Sequence, residues 1–176
     1  MKRIVLVITT ALVAIGATAL VGQAATTRND DPVWKAILKA REGTEKYQDV
    51  GKALGDGYKP VSPCVEAPGL GAMGIHYLNE AYVADPSIRA GKPELLLYFP
   101  EANGKLRLVG VEYFRPDADQ DLTTTGDRPS LAGIPFDGPM LGHDPDMPIH
   151  YDLHAWVWKW NPTGVFAQFN PELHCP

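Results

Sequence analysis

A run of 18 apolar and small residues, Ile4 to Val21, lies between a basic head, Met1-Lys2-Arg3, and the small-residue exit Gly22-Gln23-Ala24. This layout is that of a secretory signal peptide cut near Ala24, so residues 1–24 are expected to take no part in the fold. An uncleaved anchor is the alternative, since 18 residues just reach across a bilayer, but no strong stop-transfer flank follows. No cysteine stands at the end of the run, which excludes a lipid-modified cysteine at the cleavage point.

Export fixes three further properties. Of the 176 residues, about 152 remain, enough for one well-formed core and too few for two ordinary domains. Losing Lys2 and Arg3 leaves 14 basic against 21 acidic residues, a formal charge of −7 in place of −5. Without a clustered basic footprint, neither nucleic acid nor an anionic membrane surface is an expected partner. The compartment is secreted or periplasmic and oxidising, and its two cysteines, Cys64 and Cys175, are most simply a disulfide. Closing so long a loop is worth roughly 4 to 5 kcal/mol in the chain-entropy account.

Residues 25–31 read as a polar linker ending in a helix start, with Asp31 as N-cap and Pro32 in the first turn. Val33, Ile37, Ala40, Tyr47, Val50 and Leu54 then recur every three to four residues, predicting a helix of about 20 residues or two shorter ones meeting near Gly43-Thr44. Gly55-Asp56-Gly57 ends this region. From Tyr58 onward the pattern is of strands: Ala72–Leu78, Glu94–Phe99, Lys105–Phe114, Leu153–Trp160 and Gly164–Phe169 are rich in aromatic and branched residues and bounded by turn formers. Pro100 to Gly104 and Asn161 to Gly164 read as hairpin turns. A Pro/Gly/Asp-rich stretch from Arg115 to Ile149 shows little periodicity and is long for an idle loop. The expected fold class is α+β, one secreted domain over 32–176 with an N-terminal helix or helix pair on an antiparallel, barrel-like sheet of five or more strands.

No dinucleotide, NTP-binding, nucleophile-elbow or zincin motif occurs. Asp117-Ala-Asp-Gln-Asp121 opens like a calcium loop, but Leu122 and Arg128 stand where Gly and Glu are required, so calcium is not expected. The histidines are more informative. Residues 138–154 hold His143, His150 and His154 together with Met140 and Met147. In a strand, His150 and His154 share a face but sit about 13 Å apart, too far to hold one ion between them. His154 therefore needs partners from neighbouring strands. His76 shares a strand face with the small Gly74, which leaves room for a ligand or another backbone. Glu112 alternates with Leu106, Leu108 and Phe114, placing a carboxylate among large apolar residues. A buried carboxylate is costly unless a cation, metal or donor faces it. Two imidazoles and a carboxylate on adjacent strands form a facial set suited to a divalent transition metal. Against this, an isolated strand histidine is commonly a satisfied core or surface residue, Glu112 could face Arg107, Lys159 or solvent in the opposite register, and His174 reads as a surface residue.

Gly57-Tyr58, Cys64, Met73-Gly-Ile-His-Tyr77, Val111-Glu-Tyr113, Gly138-Pro-Met140, the stretch His150 to Trp158, and Asn161 to Cys175 together resemble a family of small secreted bacterial proteins of uncharacterised activity. The likeness spans about residues 40–176. It implies an exported single domain bridged from Cys64 to Cys175, and it carries no activity.

Two functional readings follow. In the first, the protein binds a divalent transition metal, copper or zinc, through His76, Glu112 and His154, with His150 or a loop methionine as a fourth ligand. In the second, it is a metal-free binding module for a small apolar or aromatic ligand lined by Tyr77, Tyr113, Trp156 and Trp158. The alternating Trp156, Trp158 and Trp160 are otherwise one packed or half-exposed strand face. No feature assigns catalysis.

Overall fold

The computed structural model describes residues 30–142 and 147–176; the expected leader and His143 lie outside them. Helix α1 (Pro32–Thr44) starts where the capping signals placed it, with the Asp31 carboxylate accepting from Val33 N at 2.8 Å. It buries Ala36, Ala40 and Thr44, a stripe at intervals of four. A 3-10 turn (Glu45–Gln48) and a short helix α2 (Val50–Gly55), capped by Asp49, follow. The helix pair, rather than one long helix, is what forms. Gly43 has a tertiary role as well: a Cβ there would lie 2.1 Å from Gly91 O, so the loop backbone packs directly on α1. In α2 the buried residue is Ala53, and Leu54 is half exposed, contrary to the apolar stripe.

The chain continues as β1 (Lys59–Ala67), β2 (Gly71–Leu78), α3 (Glu80–Val83), β3 (Leu95–Pro100), β4 (Leu106–Pro116), β5 (Ser130–Leu131), β6 (Ile134–Pro135), β7 (Asp137–Met140) and β8 (His150–Ala155). Six strands make one antiparallel sheet in the order β1-β2-β3-β4-β8-β7, curled into a half-barrel. The fold is α+β. Strands β2, β3 and β4 match the expected segments, and the Pro100–Gly104 turn joins β3 to β4. Strand β1, which contains Pro60 and Pro63, forms on the sheet edge, where missing N–H donors are tolerated. The stretch 115–149 contributes β7 to the opposite edge.

The C-terminal expectation needs correction. Strand β8 ends at Ala155, and the segment 164–169 is not a strand. Trp156 N instead donates to Val165 O (2.8 Å), while Trp158 N and Lys159 N both donate to Val109 O (3.2 and 2.9 Å), so the tryptophan row leaves the ladder. Asn161–Gly164 does turn, with Gly164 N on Asn161 O, but it leads into a covering segment fastened by the Ala72–Asn170 bridge and by Cys64–Cys175. The disulfide forms as expected, across a sequence separation of 111, and Glu66 accepts from Cys175 N beside it.

Both faces of the sheet are buried. One packs on the helices through Leu96, Tyr98, Val111, Tyr113, Tyr151 and Leu153 with Tyr47, Tyr58 and Ala40. The buried tyrosines find acceptors: Tyr58 OH donates to Pro93 O, Tyr98 OH to Tyr47 O and Tyr113 OH to Ala90 O, at 2.6 to 2.8 Å. The other face carries Leu97, Val109 and Trp156 under Leu173 at one end, and the candidate site at the other.

Candidate metal centre

Register brings the site together. Glu112 on β4 stands directly opposite His154 on β8, and Leu95 of β3 pairs with Glu112 on its other side. His76 lies one strand beyond, on β2, paired with Leu97. Curling of the sheet lets its side chain reach Glu112 across β3. The alternation within β4 is not the simple one in the sequence. A bulge between the pairs Leu97–Gly110 and Tyr98–Leu108 resets the parity, so Leu106 and Leu108 join the helix-side core while Glu112 and Phe114 face the cavity. Glu112 is buried beside an apolar phenylalanine as expected, for a partly different reason. The space over Gly74 is taken by backbone: a Cβ there would lie 2.5 Å from Tyr98 O.

One ligand atom from each of His76, Glu112 and His154 lies within 4.8 Å of the others. His76 Nε2 is 3.3 Å, and His154 Nε2 3.8 Å, from Glu112 Oε2, and the two rings are nearly perpendicular with centroids 6.1 Å apart. Exposures are 9%, 4% and 1% for His76, Glu112 and His154. Glu112 Oε2 and both ring nitrogens of His154 are buried without a hydrogen bond. An orphaned buried polar group costs about 1 to 3 kcal/mol, so three in one place call for a partner other than protein.

The neighbouring residues set the histidine chemistry. Ser62 Oγ accepts from His76 N (3.0 Å) and has two acceptors within reach of its one proton, Pro63 O (2.8 Å) and His76 Nδ1 (3.0 Å). With that proton on Pro63 O, Oγ accepts from Nδ1–H and the Nε2 lone pair of a neutral His76 is directed at Glu112, the tautomer of a metal ligand. On the opposite side, Asp152 Oδ1 lies 3.7 Å from His154 Nδ1, outside hydrogen-bond reach, and Oδ2 lies 3.8 Å from His150 Nε2. Asp152, also buried, is the functional candidate missed in the sequence. Its signal was present, because His150, Asp152 and His154 alternate on one strand face.

Burial pushes the Glu112 carboxyl upward, Asp152 and Glu94 add to the shift, and His154 opposes it. For His154, burial works against the charged ring, yet the carboxylates of Glu112, Asp152 and Asp137 outweigh it and the net shift is upward. Both shifts describe excess negative charge in a dry place. Among the described residues no Lys or Arg lines the surrounding cavity, so a cation is what the local electrostatics lacks.

The cavity measures about 640 Å³ and opens over these groups, walled by Val61, Val65, Met73, Leu78, Leu95 and Phe114 with Met147 near His150. His150 lines it but is not among the converging ligands: its ring stacks on Phe114 (centroids 4.9 Å apart), with Nδ1 3.1 Å from Pro148 O. None of the four aromatic residues expected at a ligand site lines the cavity. Tyr77 and Tyr113 point to the helix side, with Tyr77 against Tyr98. Trp156 donates to Ala167 O, and Trp158 donates to Thr44 Oγ1 beneath the Arg41 guanidinium. His174 sits on the surface beside Glu66. In the acidic loop, the Asp117, Asp121 and Asp127 carboxylates accept from backbone amides of the loop, as turn residues do.

No protein-family model matches the chain, and no curated protein or solved structure matches it.

Proposed function

We propose that this is an exported protein that binds one divalent transition-metal ion through His76 Nε2, Glu112 and His154 Nε2. The observation that carries the reading is the buried convergence of two imidazoles and one carboxylate, in which Glu112 Oε2 and both ring nitrogens of His154 lack a hydrogen bond. The contact of Ser62 Oγ with His76 Nδ1 supports it independently, since a metal-ligating histidine engages its other ring nitrogen in such a hydrogen bond. Two imidazoles and a carboxylate suit zinc. Met73 and Met147 line the same cavity, and thioethers are the donors that would draw copper instead. The disulfide, and the lack among the described residues of any helix long and apolar enough to cross a membrane, agree with a secreted or periplasmic setting.

Elemental analysis of the tag-free protein, as purified and after stripping and reconstitution, tests the reading. About one equivalent is expected, and less than a tenth of an equivalent after reconstitution defeats it. A metal-free module for a small apolar ligand is the second reading, and it has the cavity's volume and aliphatic walls in its favour. Tight metal binding that disappears in His154→Ala decides against it.

A further inference from the structure

We infer that the cavity takes a small amphiphile bearing a single oxyanion head, of carboxylate type, with the head on the metal and the apolar body along the aliphatic walls. This rests on the metal reading above and names the ligand class of that same site.

Size comes first. A volume of about 640 Å³ is far more than an ion and a water fill, and lies in the range of small-molecule sites. The walls decide the body of the ligand. Val65, Met73, Leu78, Leu95 and Phe114 present hydrocarbon and thioether with no hydrogen-bonding side-chain atom, so a polar body such as a sugar would lose its hydration uncompensated.

Charge decides the head. Among the described residues the lining contains two carboxylates, Glu112 and Asp152, and no Lys or Arg, so the metal-free cavity repels an anion. A divalent ion on His76, Glu112 and His154 carries one charge more than its Glu112 ligand and, with three converging protein groups among the described residues, keeps a coordination position open. Counting Asp152 as well, the two carboxylates and the ion sum to zero, so the repulsion of an anion is removed. Among the described residues nothing else lining the cavity is a strong anion acceptor, so the metal takes that part. Asp152, buried next to His154 with Oδ1 lacking a hydrogen bond, disfavours a second negative charge deeper in the site and so selects a mono-anion. Binding is a coordination and burial event, with no bond of the ligand broken.

The probe is octanoate, with octanol as the uncharged control, titrated calorimetrically into zinc-loaded and metal-stripped full-length exported protein. Octanoate is expected to bind the zinc form at least tenfold more tightly than the stripped form, with octanol showing no such difference. Val65→Phe, which narrows the cavity from the edge strand without touching a ligand, should retain one equivalent of zinc and lose octanoate affinity by tenfold or more. If zinc is retained but octanoate gains nothing from it, the inference is overturned while the metal reading stands. Equal octanoate affinity with and without zinc overturns it likewise, in favour of a plain apolar pocket. Failure to take up any metal removes the metal reading itself, which the zinc analysis of the same sample identifies.

Discussion

Replacing Glu112 by Gln removes one charge from the buried group and changes almost nothing in shape, so it separates a metal ligand from a structural polar residue. In the metal-free protein Glu112 Oε2 has no hydrogen bond to lose, and the carboxyl is held in an environment that disfavours its charge. Stability without metal is therefore expected to stay within about 1 kcal/mol of the parent or to rise. With metal the two proteins diverge. At free zinc 100-fold above its dissociation constant the parent gains about 2.7 kcal/mol, a rise in melting temperature of roughly 5 to 10 °C for a chain of this size. Loss of a direct ligand costs at least the 10- to 100-fold in affinity that loss of a supporting residue costs. At the same free zinc a 100-fold weaker variant gains only about 0.4 kcal/mol, or about 1 to 2 °C. Differential scanning fluorimetry of both proteins, stripped and with buffered zinc, reads all four values. Equal zinc-induced shifts in parent and variant would refute the reasoning, and so would a large loss of stability in the stripped variant with no zinc effect in either, which is how a structural Glu behaves.

Three more outcomes follow from the fold. The double change Cys64→Ser and Cys175→Ser should lower the midpoint of thermal unfolding by roughly 10 to 19 °C, because a closed loop of 111 residues is worth about 4.8 kcal/mol in the chain-entropy account; a drop of under 3 °C contradicts this. Gly43→Ala should destabilise by about 1 to 3 kcal/mol in urea titration even though Ala favours a helix by about 1 kcal/mol over Gly, because its Cβ meets Gly91 O at 2.1 Å; a stabilised variant contradicts the packing. Burial pushes the Glu94 carboxyl up to about 7, against the opposing Phe114 N and Arg115, from an ordinary 4.5. A raised carboxyl binds its proton more tightly in the folded state, so Glu94 stabilises fully below about pH 4.5 and its contribution is lost as pH rises through 7, an effect of order 3 kcal/mol. Urea titrations of metal-free protein from pH 5 to 8 should therefore show a shallower pH slope in Glu94→Gln than in the parent, and an unchanged slope contradicts the assignment.

His76 and Glu112 were legible in the sequence because each breaks a local rule, a His sharing a face with Gly in an apolar strand and a Glu in an apolar alternation, and His154 was legible from the histidine-rich segment 138–154. What alternation along one strand cannot show is a bulge. The parity of Leu106 and Leu108 relative to Glu112 is set by where β3 pairs with β4, a property of two strands and not of one. The tryptophan row failed for a related reason. Period two persists in the residues 156–160, yet the covering C-terminal segment captures Trp156 N and ends the ladder at Ala155, and no local pattern encodes that long-range competitor. Strand β1 was obscured by its own Pro60 and Pro63, which suit an edge that only the assembled sheet defines. His150 was grouped with His154 on composition, although the strand spacing already placed the two too far apart to share an ion. Ser62 had no signal at all in the sequence: its contact with His76 Nδ1 depends on β1 folding back beside His76.

The central claim, one metal ion held by His76, Glu112 and His154, is tested most directly by anomalous diffraction at the metal edge from crystals of reconstituted, tag-free protein. The account predicts a single peak lying about 2.0 to 2.2 Å from a nitrogen of each histidine and an oxygen of Glu112. A peak bound elsewhere on the chain, or none in protein exposed to excess zinc and copper, contradicts it.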